Sequence, residues 1–383
     1  MPTNRADEWI GVLDITIPKY LKEVTDLTIR NRYLLKRLEQ AGRLLFNQES
    51  TDLIWDVQYA EPPVQAYGDS GVVIYDPVNC YKQASLDWRG YVATDKMSEK
   101  QTLMNKGNSA IVKRYEQIVP NLMKAMRNRF GTELYIDGYA AGNENNICGF
   151  ESWCGTRTAY NTVGCAVADL VATPSDTYGQ LSTAVGQSGS WSTDLTSNAL
   201  GRPSADIATD WPEGKGDSEY DYWTPKLINY ASTSWGAGGT TFTLTGELAM
   251  SRAIQWLSLT AGSETPPNIC FLAGPLMSQW KAALMAKRYI FVPHKQSEDL
   301  GFGDTLNYEG LAVRTEFGMP ANTGYIFPLD ELQLMSPAEE LFYKHGPYFD
   351  PDTFSYKFAV ACFAQLRITA PKFFAKLYPY AAS

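Results

Sequence analysis

The sequence predicts an α+β fold in which the end of the chain returns beside its first third, and three observations carry that expectation. Leu53, Trp55, Val57 and Tyr59 alternate with Ile54, Asp56 and Gln58, and Leu86, Trp88 and Val92 alternate with Asp87, Arg89 and Tyr91, the period of two that marks strands. Ile111, Tyr115, Ile118, Leu122 and Met126 recur at spacings of three and four, as on one face of a helix. Near the C-terminus Phe354, Tyr356, Phe358, Val360, Cys362, Ala364, Leu366 and Ile368 hold every even position opposite Ser355, Lys357, Gln365, Arg367 and Thr369. That run reads as one long strand, or two joined by a bulge, with one face on a core.

Along the chain, a short arm leads into a charged helical pattern over residues 19–46 (Leu21, Val24, Leu27, Leu34, Leu38, Leu45) that ends near Asn47. The connector between the two alternating limbs is punctuated by Pro62-Pro63, Gly68-Asp69-Ser70-Gly71 and Asp76-Pro77, which suits a loop rather than a compact domain. With about 20 residues a limb at ~3.3 Å each, this hairpin reaches on the order of 60 Å, further than one domain needs internally. Asn108 or Ser109 caps the helix that follows Gly107. Running to Arg129 it spans ~33 Å, with Pro120 expected to kink it or open one turn. Residues 140–245, rich in Gly, Ser, Thr and Asn, read as loops with weak strands. Helices over 246–260 and 275–288 flank an apolar strand at 269–272, a mixed α/β region. The long C-terminal strand is expected to cover helix 108–129 and close a discontinuous domain around the middle one.

At 383 residues, 44% hydrophobic and 20% charged, the chain is long enough to bury a large core. A formal charge of −9 argues against a general grip on nucleic acid, although a wall that merely encloses it tolerates that balance. The first 20 residues carry acids and no apolar core of a signal peptide, and no run approaches the roughly 20 apolar residues of a membrane span, so folding in the cytosol is expected. The charge is unevenly spread. Residues 51–79 hold five acids (Asp52, Asp56, Glu61, Asp69, Asp76) and no Lys or Arg, whereas residues 108–131 hold five bases (Lys113, Arg114, Lys124, Arg127, Arg129) and one acid, Glu116. Such complementarity suggests docking between copies of the chain; the plainer reading is a core helix with a solvated basic face.

Motifs for chemistry do not assemble. Gly68-Asp69-Ser70-Gly71 is similar to the surroundings of some serine nucleophiles, but both histidines, His294 and His345, lie more than 200 residues downstream, and a turn is the better reading. Gly186-Gln187-Ser188-Gly189-Ser190 misses the G-x-S-x-G spacing, and Gly236 to Gly239 lacks the Gly-Lys-Ser/Thr of a phosphate loop. Cys80, Cys148, Cys154, Cys165, Cys270 and Cys362 have no C-x-x-C spacing, so thiols, mostly buried, are expected rather than a metal or disulfide. The 10 Trp and 23 Tyr suit subunit packing better than a sugar platform. No catalytic residues, cofactor or metal ligands are nominated.

The order of parts resembles the major capsid proteins of tailed bacteriophages, of the Hong Kong 97 type. The resemblance rests on Ser85-Leu86-Asp87-Trp88-Arg89 in the second limb, Lys106-Gly107-Asn108-Ser109-Ala110 before the helix, and Phe130-Gly131-Thr132-Glu133-Leu134-Tyr135 at its end. Ile147-Cys148-Gly149 and the aromatic Asp221-Tyr222-Trp223 continue it, over most of the chain from about residue 20.

What the resemblance implies is a non-enzymatic shell subunit: an N-terminal arm with helix at 1–50, an extended β-hairpin (E-loop) at 51–96, and the first part of a discontinuous P domain with its spine helix at 97–144. A mixed α/β A domain at 145–332 and P-domain return strands at 333–383 complete it. Implied partners are copies of itself in pentamers and hexamers, a portal at one vertex, a separate scaffolding protein, a decoration or cement protein, and enclosed double-stranded DNA without sequence-specific contact. No membrane is implied, and the location is the virion, assembled in the host cytoplasm. The inter-subunit residues are Asp56, Glu61, Val64, Tyr67, Asp69, Val72, Ile74 and Asp76 on the hairpin, with Lys113, Arg114, Lys124 and Arg127 on the neighbour's helix. Some members weld subunits through an E-loop lysine, whereas residues 51–81 contain none and only Lys82 stands near, so a shell without covalent links is expected. An encapsulin-type compartment and, more distantly, a sugar-binding or polysaccharide-acting protein are the alternatives.

Overall fold

The computed structural model describes residues 32–58, 62, 64–68, 71, 75, 80–104, 114–154, 177–182, 223, 225–230, 241–261, 266–286 and 306–379. In chain order the elements are α1 (Tyr33–Gln40), β1 (Leu44–Leu45), β2 (Asp52–Gln58), β3 (Tyr81–Asp87), β4 (Arg89–Ser98), α2 (Glu99–Met104), α3 (Arg114–Glu133), α4 (Phe150–Cys154), β5 (Thr177–Tyr178), β6 (Leu181–Ser182) and β7 (Lys226–Asn229). They continue with α5 (Phe242–Ala261), β8 (Ile269–Leu272), α6 (Gly274–Ala286), β9 (Leu306–Tyr308), β10 (Leu311–Arg314), β11 (Gly324–Phe327), β12 (Leu332–Met335), β13 (Tyr343–Asp350), β14 (Ser355–Ile368) and β15 (Ala375–Tyr378). The described chain divides into two compact units, the smaller including Tyr91–Phe130 and Glu340–Cys362 and the larger Arg32–Gly90, Gly131–Glu339 and the C-terminal residues from Phe363.

In the larger unit a six-stranded sheet runs in the order β7-β15-β11-β8-β10-β9. Strand β8 is central, parallel to β10 and antiparallel to β11, and buried along its whole length, which is why it reads as an uninterrupted apolar run. Strand alternation sorts the sheet's two faces. Cys270, Leu272, Ile326, Ala375 and Leu377 join the aliphatic core under α5 and α6, with Met250, Leu257, Met277 and Trp280. Their neighbours Phe271, Tyr325 and Phe327 meet Phe150 and Phe374 in a cluster of rings 5.1–5.9 Å apart. The expected helices at 246–260 and 275–288 are present, the first starting four residues earlier and the second described over Gly274–Ala286, residues 287 and 288 lying outside the described ones.

Three expectations need correction. The first helix ends at Gln40, not near Asn47: Gly42, at φ 66°, turns the chain in the left-handed region, and Leu44–Leu45 are drawn into a parallel pairing with Leu334–Met335. Residues 19–31 of that expected helix lie outside the described ones. The second alternating limb breaks at Trp88, because β2 offers Asp87 its last partner, Asp52; the chain then continues as β4, which pairs with β14. Helix α3 continues to Glu133, past the expected end at Arg129, with Pro120 inside it and Ile118, Leu122 and Met126 buried along it.

Strand β14 extends unbroken over 14 residues. In the smaller unit its Phe358 and Val360 pack with Ile118 and Leu122 of α3 and Met97 of β4, the contact the alternation implies. The irregularity lies in its partner, with a register shift between His345 and Tyr348 of β13. Toward its C-terminal end both faces are buried, so Gln365, read from alternation as outward, is 0% exposed. Its amide is satisfied by donation to the Asp87 carbonyl at 3.0 Å and acceptance from the Cys148 N–H at 2.9 Å.

Candidate inter-subunit surfaces

The β2–β3 pair is a seven-rung antiparallel ladder from Asp52 opposite Asp87 to Gln58 opposite Tyr81. Alternation turns Leu53, Trp55, Ala84 and Leu86 inward and leaves Ile54 and Asp56 exposed. The root is keyed into the larger unit: the Trp55 indole donates to the Thr369 carbonyl at 3.1 Å, and the Arg367 guanidinium sits 4.9 Å from its ring centroid. Trp88, where the ladder ends, donates to the Ser50 carbonyl at 2.9 Å.

Beyond the ladder the apolar residues are presented to solvent: Val64 is 96% exposed, Tyr67 66% and Tyr75 89%. Gly71 N–H donates to the Gly68 carbonyl at 2.9 Å, the i to i+3 bond of a turn, as expected for Gly68-Asp69-Ser70-Gly71. Three large exposed apolar side chains in one acidic stretch are a surface that water alone does not favour. Glu61, Asp69, Val72, Ile74 and Asp76 lie outside the described residues.

Helix α3 buries Ile118, Leu122, Met126 and Phe130 and leaves Arg127 and Arg129 exposed. Lys124 is half-buried. Arg114 opens the helix, while Lys113 lies outside the described residues. The two charge sets thus stand on different units, the acids on the larger and the bases on the smaller.

A further surface was not apparent from the sequence. In the smaller unit Leu103, Tyr348, Phe349 and Phe354 are 62%, 59%, 45% and 63% exposed, beside two open surface cavities of about 620 and 650 Å³. Tyr348, Lys96 and Lys357 line the first, Leu103 and Phe354 the second. Asp350 organises the β13–β14 turn, pairing with Lys357 at 2.5 Å and accepting from Thr353 Oγ1 at 2.7 Å, and these contacts hold its carboxyl below the usual range. The turn residues around Pro351 were the available signal, but the flanking aromatics read equally well as core.

Chemical centres are sparse. Among the described residues no group of His, Cys, Asp or Glu is placed to hold a metal ion, and no helix is long and apolar enough to cross a membrane. The five described cysteines are buried, and burial pushes the Cys148 thiol up to about 11 and the Cys362 thiol up to about 12. Cys165 lies outside the described residues.

No protein-family model matches the sequence, and no curated protein does. Solved structures match end to end. The capsid protein in the cyanophage A-1(L) capsid asymmetric unit superposes with a TM-score of 0.62 over 95% of this chain and 97% of its own, at 14% identity. The capsid of a native GTA particle gives 0.52 over 94% and 96% at 9% identity, and the capsid of Myoviridae phage XM1 gives 0.51 over 94% and 96% at 9%. The chain therefore has a tailed-phage capsid fold, mixed in helix and sheet.

Proposed function

We propose that this chain is the structural subunit of an icosahedral phage head, self-assembling into pentamers and hexamers around double-stranded DNA. The observation that carries the reading is the end-to-end match, 95% of this chain against 97% of the chain in a cyanophage capsid, with a TM-score of 0.62. In this reading the β2–β3 hairpin and its connector are the E-loop, α3 is the spine helix, the smaller unit is the P domain, and the α5–β8–α6 region belongs to the A domain. Head-to-tail contacts between unlike faces close into rings. The acidic hairpin of one subunit lies on the basic side of a neighbour's α3, where each exposed ion pair contributes only ~0 to 1 kcal/mol and sets register. Burial of Val64, Tyr67 and Tyr75, at ~25 cal/mol per Å², supplies more of the strength. The subunit acts without catalysis or cofactor, in the virion, after assembly in the host cytoplasm with a portal, a separate scaffold and a decoration protein as its partners.

Negative-stain microscopy of the purified, expressed chain, with and without co-expression of a scaffold and portal, tests this. Closed icosahedral particles are the expected result, and DNA of genome length inside particles from infected cells separates a head from a cargo-holding compartment. A chain that stays monomeric under every assembly condition overturns it.

A further inference from the structure

The turn that joins β13 to β14 presents an aromatic ring at a backbone cost. Phe354, its last residue, has φ 46°, in the left-handed region that glycine and asparagine occupy readily and a bulky side chain does not. No burial compensates: the ring is 63% exposed, and near it Phe349 and Leu103 are 45% and 62% exposed. Such strain persists only where the surroundings over-determine it. Here the Phe354 carbonyl accepts the N–H of Glu99 at 3.0 Å, tying the turn to the start of α2. Asp350 braces the other limb, pairing with Lys357 and accepting the N–H of Asp352 at 3.2 Å. The Phe349 and Phe354 rings meet edge to face at 5.4 Å, and Phe354 and Leu103 line one cavity, so the three side chains form one apolar tip of the smaller unit.

What this tip fits follows from its charge. Residues 91–104 and 343–359 carry four acids (Asp95, Glu99, Asp350 and Asp352) and four lysines (Lys96, Lys100, Lys344 and Lys357), none of them buried. A balanced surface of this kind draws in neither an acidic segment, such as the hairpin at 51–79, nor a polyanion such as DNA. A second copy of itself is the partner whose acids and lysines it can match. We propose that the tip formed by Leu103, Phe349 and Phe354 docks on the same tip of another copy of this chain, and that Phe354 is held in its strained conformation for that contact.

Size sets the strength of the contact. With aromatic side chains at 150–250 Å² each, the three residues expose about 300 Å² per copy. A pair of tips therefore falls short of the roughly 1,000 Å² that a stable complex needs. Between two free subunits the contact is weak, and it takes hold where many copies present it together. It also joins like to like, so it closes once the tips have met and does not extend into a ring, which takes unlike faces. On the shell reading above, which this inference rests on, the hairpin makes the rings and the tip ties ring to ring.

Assembly of the full chain, followed by electron microscopy, and urea unfolding of the dissociated subunit test this. Phe354→Asn suits the left-handed turn, so the subunit's urea midpoint should stay unchanged or rise, while closed particles fall about tenfold and separate rings accumulate. A lower midpoint would give Phe354 a structural role, and a wild-type yield of particles would mean that its ring is not used; either result overturns the proposal. Lys96→Glu with Lys100→Glu, and Asp95→Lys with Glu99→Lys, should each give separate rings alone and closed particles when the two variants are mixed, because opposite tips then match. A mixture that restores no particles overturns docking between copies, whether or not a different protein binds the tip. If the wild-type chain forms neither rings nor particles, the shell reading fails and takes this inference with it, whereas tip variants that close like the wild type sink the inference alone.

Discussion

The indole N–H of Trp223 donates to the carbonyl of Tyr178 over 3.0 Å while the two rings stack at 6.0 Å, and both side chains are fully buried. Trp55 of the hairpin root lies 6.2 and 6.3 Å from these rings, so the three form one aromatic anchor. Trp223→Ala is expected to cost about 3–5 kcal/mol in urea unfolding, and Trp223→Phe closer to about 1–2, since the ring is kept and the hydrogen bond lost.

Gly149 is a packing requirement. A Cβ there would stand 2.6 Å from the carbonyl oxygens of Glu133, Leu134 and Ile136, all backbone atoms around the end of α3. Gly149→Ala should destabilise the larger unit by about 1–3 kcal/mol, read as a lower urea midpoint with an unchanged slope.

Lys376 pairs with Glu151, whose other oxygen accepts the Tyr325 hydroxyl. With Lys376 only 7% exposed, Lys376→Met leaves an acid without its cation beneath the aromatic face and is expected to cost about 3–5 kcal/mol. The double change to Met at 151 and 376 should recover much of that loss, and thermal unfolding of both variants checks the contrast.

Reversing Lys113, Arg114 and Arg127 to Glu should abolish particle formation on microscopy, while Arg127→Glu alone, at an exposed position, should move monomer stability by less than about 1 kcal/mol. Normal particles of wild-type stability would remove hairpin–helix charge docking from the account.

Intact particles boiled in detergent should run as a single band at 42.7 kDa, since residues 51–81 carry no lysine to join subunits. A ladder of multimers would show covalent links.

The sequence was most informative where burial follows a local period. The apolar strand at Ile269–Leu272 falls where its composition puts it, and Ile118, Leu122 and Met126 share the buried side of α3. Long-range pairing left no such trace. Gln365 looked like an outward residue of an alternating strand because its two partners, Asp87 and Cys148, stand 278 and 217 positions away. Glu316 resembles any surface acid until Leu34 and Tyr135 close over it. Of the candidate surfaces, Val64 and Tyr67 were legible as apolar residues in an acidic, turn-rich stretch, whereas exposed Tyr348 and Phe354 were not, since an aromatic beside a strand turn suits core and surface alike.

The smaller unit is made of Tyr91–Phe130 and Glu340–Cys362, with the bulk of the other unit encoded between them. During synthesis at ~5–20 residues per second, α3 leaves the ribosome roughly ten to forty seconds before the strand that covers it. Through that interval Ile118, Leu122 and Met126 have no Phe358 or Val360 to meet. The nascent chain therefore carries, for most of its translation, an apolar helix face that only the earlier Met97 and Ala93 of β4 can begin to cover.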